Sequence, residues 1–477
     1  MQTFSGNSSM RSPGIFILFL LSFLCSSKAV SQQAEFEREL FVASISLEGN
    51  ERTKSLIIYR ELSFAEGESR PQVELASELE RSRRNIFNTN LFISVDADLE
   101  TRADSAFVTI KMKERLYLLP LPILYLADRS FNEWWYNQDH DLKRVIYGLQ
   151  LNHSNLSGNG DVLKLKTYGG FIPYFELSYS RPYIDKRQRM GLSGGVFYST
   201  QKSFAVRTWE DKLDFIDTEA RSRQRKGAFV EYNLRNALYH FHTIYLGYTQ
   251  TSVSDSVTAI NPNYFGDAGQ SLSYGTFKYD YRFDKRDNYI YPLDGHLFNA
   301  GLTYFGMASS KEVNYLRLNA EYFGFYPLVG RFYAGVKARG QLSFPKKQLY
   351  PFVLGLGYRN SLVRGYELNV IDGQHFGLVQ TDLKYQILNK TFNISKFLKL
   401  KQFNSVPVGI YGRVFFDTGY IRNFNPQFSN SSLSNKLLYG YGVGFDLSTF
   451  YDTVFNLNYS VNQTGFNRVY FGIQRYL

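Results

Sequence analysis

The chain has 477 residues, enough for two or three ordinary domains or for one large β-structure with a small companion. Its 41 Phe and 37 Tyr against 3 Trp and 5 Met suit a body whose side chains meet apolar matter at one end and water at the other. A single cysteine, Cys25, excludes a disulfide within the chain and a cysteine-metal site, and the net charge of +11 is dispersed in short clusters such as "RSRRN" and "RSRQRK". That spread suits anionic lipid headgroups and offers no helical basic face or nucleic-acid module.

Arg11 precedes the apolar run "GIFILFLLSFLC", followed by "SSKAVSQQ" with small residues at Ala29 and Ser31. This is the layout of a secretory signal peptide, placed at residues 1–31. Acylation at Cys25 is disfavoured because Phe23 and Leu24 are bulky where a lipoprotein site needs small side chains. Residues 32–40 form a short N-terminal segment. No later stretch reaches the roughly 18 apolar residues of a spanning helix. The chain is therefore expected to be secreted, periplasmic, or threaded into an outer membrane as a barrel.

Residues 41–115 have a mixed texture. "FVASISLEGN" alternates and ends in the turn signal Gly49-Asn50. "RTKSLIIYREL" and "QVELASELERSRRNIF" carry apolar residues at helical spacing, and "LFISVDADLE" and "SAFVTIKMKER" alternate again. Strand, two helices and two strands make a compact α+β module.

Beyond Leu116 period-two segments take over. In "FKYDYRFD", Phe277, Tyr279, Tyr281 and Phe283 share one face, while Lys278, Asp280, Arg282 and Asp284 share the other. Aromatics opposite charges fit a strand with lipid outside and water inside. Residues 116–477, at roughly 20–23 residues per strand and loop, give about 16 strands. Five strand-like segments come after residue 370, centred near Leu383, Tyr411, Val443, Leu457 and Tyr470, leaving about eleven for 117–343.

In "SLVRGYELNV" a charged residue sits beside a glycine within this strand-rich region. An arginine held inside a barrel needs a carboxylate, or its desolvation is expensive. "VFFDTGYI" supplies one: Phe415, Asp417 and Gly419 fall on one face, with Val414, Phe416, Thr418 and Tyr420 on the apolar other.

These features together resemble the BamA/TamA family of outer-membrane assembly factors. "ISLEGNERTKSLIIYREL" and "RRNIFNTNLFISV" resemble the family's periplasmic POTRA domain, here a single one over 41–115. Val363, Arg364, Gly365 and Tyr366 resemble the loop motif, and Phe415, Asp417 and Gly419 the inner-wall motif it docks against. The resemblance implies a long outer loop folded into the lumen, with Arg364 paired to Asp417, Gly365 allowing close approach and Tyr366 beside Phe415. "DKRDNYIYPLDG" resembles a family strand-turn stretch through Asp284, Arg286, Asp287, Pro292 and Gly295. "NLSGNGDVLKL" and "FELSYSRPYI" resemble the start of the family barrel through Gly158, Gly160, Pro182 and Tyr183.

Three departures stand out. One POTRA fits where BamA and TamA carry several. In "TDLKYQI", Lys384 aligns with a family glutamate, and Asp382, two residues away on the same face, is the candidate replacement. The last strand has Phe471 and Gly472 but ends Tyr476-Leu477 instead of in Phe or Trp. The pair His240 and His242 would share a strand face with no third ligand nearby, so a polar face is the reading and no metal is expected. No G-x-S-x-G elbow or phosphate loop occurs, and neither an enzyme nor a cofactor is expected.

The expectation is thus a mainly β protein: a transmembrane antiparallel barrel of about 16 strands over 116–477, preceded by the small α+β domain. It would lie in a bacterial outer membrane with the POTRA domain in the periplasm. The resemblance implies folding and insertion of other barrel proteins, or translocation of polypeptides, by strand pairing at the POTRA edge and the barrel seam. Implied partners are outer-membrane lipids and lipopolysaccharide, unfolded outer-membrane or secreted client polypeptides, and accessory lipoproteins, with no nucleic acid. A dedicated two-partner-type secretion pore and a structural or porin-like barrel are the alternatives.

Overall fold

The computed structural model describes residues 38–477 apart from 186, 188, 219–220, 308–312, 359–360, 394–404, 427–428, 450–452 and 476–477. The expected signal peptide, residues 32–37 and the terminal Tyr476 and Leu477 lie outside the described residues.

The chain begins with β1 (Glu39–Glu48), α1 (Ser55–Tyr59), β2 (Ser69–Pro71), α2 (Gln72–Phe87), β3 (Phe92–Arg102) and β4 (Ser105–Glu114). The strands form a mixed sheet in the order β2-β1-β4-β3, with β1 parallel to β4. A parallel pair needs a crossover, and the two helices provide it. In α2, Leu75, Leu79 and Ile86 recur at helical spacing and are buried in one cluster with Val42, Val95, Val108 and Ile110. Tyr117, just beyond β4, joins that cluster and shares a 2.7 Å hydrogen bond with Thr53. Through Tyr117 the small module is packed onto the first residues of the large sheet.

That sheet opens with β5 (Leu118–Leu126), α3 (Phe131–Asn137), β6 (Val145–Ser154), β7 (Val162–Gly170), β8 (Tyr174–Arg181) and β9 (Met190–Gln201). A hairpin, β10 (Phe204–Trp209) and β11 (Lys212–Ile216), stands apart. Then come β12 (Arg223–Ala237), β13 (His240–Val253), α4 (Asp255–Ile260), β14 (Ser271–Asp284), β15 (Gly295–Met307), β16 (Tyr315–Pro327) and β17 (Phe332–Phe344). After a long connection, 345–374, the chain ends in β18 (His375–Asn393), β19 (Ser405–Arg422), β20 (Leu437–Thr449), β21 (Thr453–Asn462) and β22 (Asn467–Arg475).

Every strand from β5 to β22 except the detached hairpin pairs antiparallel with its neighbours in one 16-stranded sheet, with β9 bonded to β12. Eleven strands precede the long connection and five come after it, as the spacing predicts. Among the described residues no ladder joins β22 to β5, so the sheet has a seam.

The faces alternate as a lipid-bathed sheet requires. Along β20, Leu437, Tyr439, Tyr441, Val443, Phe445 and Leu447 are exposed, while Leu438, Gly440, Gly444 and Asp446 are buried. Apolar groups outward and glycine or a carboxylate inward invert the soluble-protein pattern. At the end away from the α+β module, Phe204, Tyr264, Phe265 and Phe352 from three connections form an apolar cluster over the sheet.

Candidate functional site: the inward loop and the seam

Within the sheet the long connection turns inward. Arg364 is 7% exposed and faces two carboxylates. Its Nε and Nη2 donate to Asp417 at 2.8 and 2.5 Å, a two-pronged contact, and Nη1 donates to Asp382 at 2.6 Å. The backbone N–H of Arg364 also reaches Asp417, at 3.0 Å. The guanidinium lies 4.0 Å from the centre of the Phe415 ring, so an aromatic face covers the side not used for hydrogen bonding. Three carboxylate bonds, one ring and an additional bond to the Thr381 carbonyl surround this cation.

Small residues in the wall admit the loop. A Cβ on Gly440 would stand 1.8 Å from the Arg364 carbonyl oxygen, and one on Gly419 would stand 2.8 Å from a Val363 methyl. Gly365 has φ +101, a conformation that side chains other than glycine rarely adopt, and its carbonyl accepts from Asn462 at 3.1 Å. Val363 and Tyr366 pack with Leu356, Ile371, Leu378, Ile421 and Leu438 in a cluster that does not include Phe415. Phe415 carries the Arg364 guanidinium instead, so the ring the resemblance set beside Tyr366 is used by the cation.

The charges extend beyond the motif. Arg413 stands 3.4 Å from Asp382 and 3.3 Å from Asp446, and Gln380 reaches both the Leu362 carbonyl and Asp417. Lys384 lies 4.1 Å over the Tyr291 ring, and Tyr291 donates to Asp446 at 2.7 Å. Tyr291 belongs to the strand-turn stretch. There Arg286 pairs through two bonds with Asp284, both at 2.8 Å, and Asp287 accepts the backbone N–H groups of Leu293 and Asp294 at 3.1 Å. Gly295 has φ +95 and a Cβ there would sit 2.1 Å from the Lys285 carbonyl oxygen. Pro292 lies at the tip between β14 and β15. His240 and His242 each bond a tyrosine hydroxyl, of Tyr281 and Tyr279, at 2.8 Å.

The α+β module docks against turns at one end of the sheet. Glu61 takes two bonds from Arg235 at 2.8 and 3.1 Å and also pairs with Arg60, whose guanidinium stacks on Tyr183 at 4.0 Å. Burial pushes the Glu61 carboxyl up, but the two guanidinium charges outweigh it and hold it below the ordinary value of 4.5. Lys54 donates its backbone N–H to the Gly158 carbonyl at 3.0 Å.

The seam has residues of its own that none of the motifs read from the sequence includes. Arg129 donates to the carbonyls of Gly357 and Asn369 in the inward loop at 2.8 and 3.0 Å. Three residues on, Asn132 bonds both backbone groups of Phe471 in β22. Ser130 and Glu133 form the S-x-x-E start of α3, with Glu133 N–H donating to Ser130 Oγ at 3.1 Å. That spacing in "SFNEWWYN" is the one local signal that the sequence carries for this helix. Of the terminal-strand residues singled out from sequence, Phe471 and Gly472 lie in β22, with Phe471 in contact with α3.

An antiparallel 16-stranded sheet with an apolar outer face and a charged, loop-filled interior defines an outer-membrane β-barrel. Residues 155–473 match the Omp85 superfamily domain, and the chain belongs to that superfamily of the bacterial outer membrane. Among solved structures it resembles BamA from Haemophilus ducreyi lacking POTRA domains 1–3, at 15% identity and TM-score 0.53, covering 91% of this chain and 84% of that one. It also resembles CdiB from Escherichia coli, at 10% identity and TM-score 0.51, covering 91% and 75%. At these identities the likeness is one of fold. No curated protein matches the chain in sequence.

Proposed function

We propose that the protein is a non-enzymatic assembly factor that folds and inserts other barrel proteins into the outer membrane, or passes polypeptide across it. The observation that carries this reading is the seam: a 16-stranded sheet that no ladder closes among the described residues. An unpaired edge exposes backbone donors and acceptors, and in a membrane these can be satisfied only by another strand or a local substitute. Strand addition at such an edge is tolerant of sequence because main-chain groups make the bonds. The α+β module, read as a single POTRA domain in the periplasm, adds a second free edge at β3. Clients are unfolded outer-membrane or secreted polypeptides, and lipid, lipopolysaccharide and accessory lipoproteins are the other partners.

The inward loop weighs against a permanently open channel. Arg364, Asp417 and Asp382 hold it against the adjacent strands β18 and β19, and a dedicated secretion pore would have to break three charged hydrogen bonds to release it. Depleting the protein from cells and quantifying the outer-membrane proteome tests the reading. Loss of many unrelated barrels is expected. Loss of one secreted substrate alone would identify a dedicated pore, and an unchanged proteome would identify a structural barrel.

A further inference from the structure

The two edges of the seam are not equivalent. At the ends of the β5–β6 ladder, Ala127 N–H donates to the Arg144 carbonyl at 2.7 Å and Ser154 N–H to the Tyr117 carbonyl at 2.8 Å. The register pairs 118–126 with 153–145 without a shift, so odd-numbered β5 residues bond β6 and even-numbered ones face the seam. Pro120 and Pro122 are even-numbered. The seam edge of β5 therefore has no N–H between Leu118 and Leu124, about 20 Å of strand. On β22 the parity runs the other way: Asn462 N–H donates to the Phe466 carbonyl, and the even-numbered residues bond β21. Asn467, Val469, Phe471, Ile473 and Arg475 turn their N–H and C=O groups to the seam, and none of them is proline.

That donor-rich edge is occupied in part by a side chain. Asn132 donates its Nδ2 to the Phe471 carbonyl at 3.0 Å and accepts the Phe471 N–H on Oδ1 at 3.1 Å. The carboxamide makes the two bonds that a residue of a neighbouring antiparallel strand would make. Asn132 is buried, Tyr136 donates its hydroxyl to the Val469 carbonyl at 3.2 Å, and Phe131 and Tyr136 pack edge-on against Phe471 and Tyr470. Arg129 ties the same segment to the inward loop and is paired with Glu133 at 2.9 Å.

We propose that β22, not β5, is the edge of this seam that accepts an extended polypeptide strand, and that Asn132 holds its place there until the strand arrives. The assignment rests on the assembly reading above and adds where on the barrel a client strand pairs. Prolines bar β5 from continuous pairing. A strand that docks on β22 displaces the Asn132 carboxamide and with it α3, and Arg129 carries that displacement to the backbone of the inward loop.

The test uses the full chain in lipid nanodiscs and two readouts. Amide exchange of β22 is measured in the wild type, in Asn132→Ala, and in Asn132→Asp, which keeps an acceptor for the Phe471 N–H but loses the donor. Asn132→Ala is expected to speed exchange at Phe471 on the order of fivefold, the weight of one net hydrogen bond. Asn132→Asp also sets a carboxylate oxygen against the Phe471 carbonyl, so its exchange should fall between those of the wild type and Asn132→Ala. A synthetic proline-free peptide of about ten alternating apolar and polar residues, the length of a membrane strand, carries a photoreactive group at its centre. Crosslinks from the peptide should map to 467–473 and increase in Asn132→Ala. Crosslinks confined to 118–126, no crosslink to either edge, or unchanged Phe471 exchange would each overturn the assignment. The readouts need no client insertion. A peptide that maps to β22 on a barrel that inserts no client leaves the edge assignment standing and removes the assembly reading. Insertion with the peptide on β5 does the reverse.

Discussion

Replacing Arg364 with alanine should unseat the inward loop, and its cost can be worked from the contacts. Asp417 is 0% exposed and would keep only the residue-364 backbone N–H at 3.0 Å and Gln380 at 3.3 Å. Asp382 would keep Arg413 at 3.4 Å. A buried carboxylate deprived of its cation costs roughly 3–5 kcal/mol, and Arg364→Ala belongs at the upper part of that range. Asp417→Ala belongs at the lower part, because Arg364 retains Asp382 at 2.6 Å. The double variant should fall short of the sum by about 2 kcal/mol, since the two single changes remove the same bonds. Arg364→Lys should recover less than half the loss, as one ammonium cannot span both carboxylates and cover the Phe415 face. The assay is urea unfolding of the detergent-solubilised barrel, monitored by the fraction that keeps a heat-sensitive folded band on gels. Additivity of the two single variants within about 0.5 kcal/mol would refute the pairing argument.

Gly440→Ala should displace the loop as severely as losing the arginine, because the new Cβ would meet a backbone oxygen at 1.8 Å, and trypsin cleavage after Arg364 measures it. Arg235→Ala should loosen the α+β module on the barrel by about 3 kcal/mol or less, since Glu61 keeps Arg60, read as faster proteolysis near residue 116. The Glu61 carboxyl sits below its ordinary value, so its docking contribution is present above about pH 4.5 and is lost as pH falls through the lowered value. Proteolysis near residue 116 should therefore rise on acidification in the wild type and lose that pH dependence in Glu61→Gln. Deleting residues 32–115 should leave a barrel that still shows a heat-dependent gel shift, since the sheet makes its ladders without the module.

Most of the fold was readable because it depends on period-two patterning, which a strand with lipid on one side writes into every other residue. The five segments after residue 370 correspond to β18 through β22, and the apolar-out phase of Val414, Phe416 and Tyr420 against Asp417 emerges directly from counting by twos. The detached β10–β11 hairpin was not separable from barrel strands, since its alternation serves a loop cluster built by Phe204, Val206 and Ile216. In the site, a charge beside a glycine pointed to Arg364, and the resemblance supplied its expected partner Asp417. The second carboxylate, Asp382, was indicated by its place two residues from Lys384 on the same strand face, but the neighbours that β19 and β20 set around it depend on register, which no local motif carries. Arg413 and Asp446 were hidden for the same reason. The Glu61–Arg235 contact joins residues 174 apart and has no sequence signature at all.

Reconstitution tests the assembly function most directly. Purified protein is placed in liposomes, an unfolded and unrelated barrel protein is added, and the client's heat-sensitive folded band is tracked over time. Liposomes with the protein should fold the client faster than empty ones. Arg364→Ala proteoliposomes, loaded with the same amount of folded barrel, should lose most of that gain. Equal rates in loaded and empty liposomes, across several unrelated clients, would contradict the assembly function.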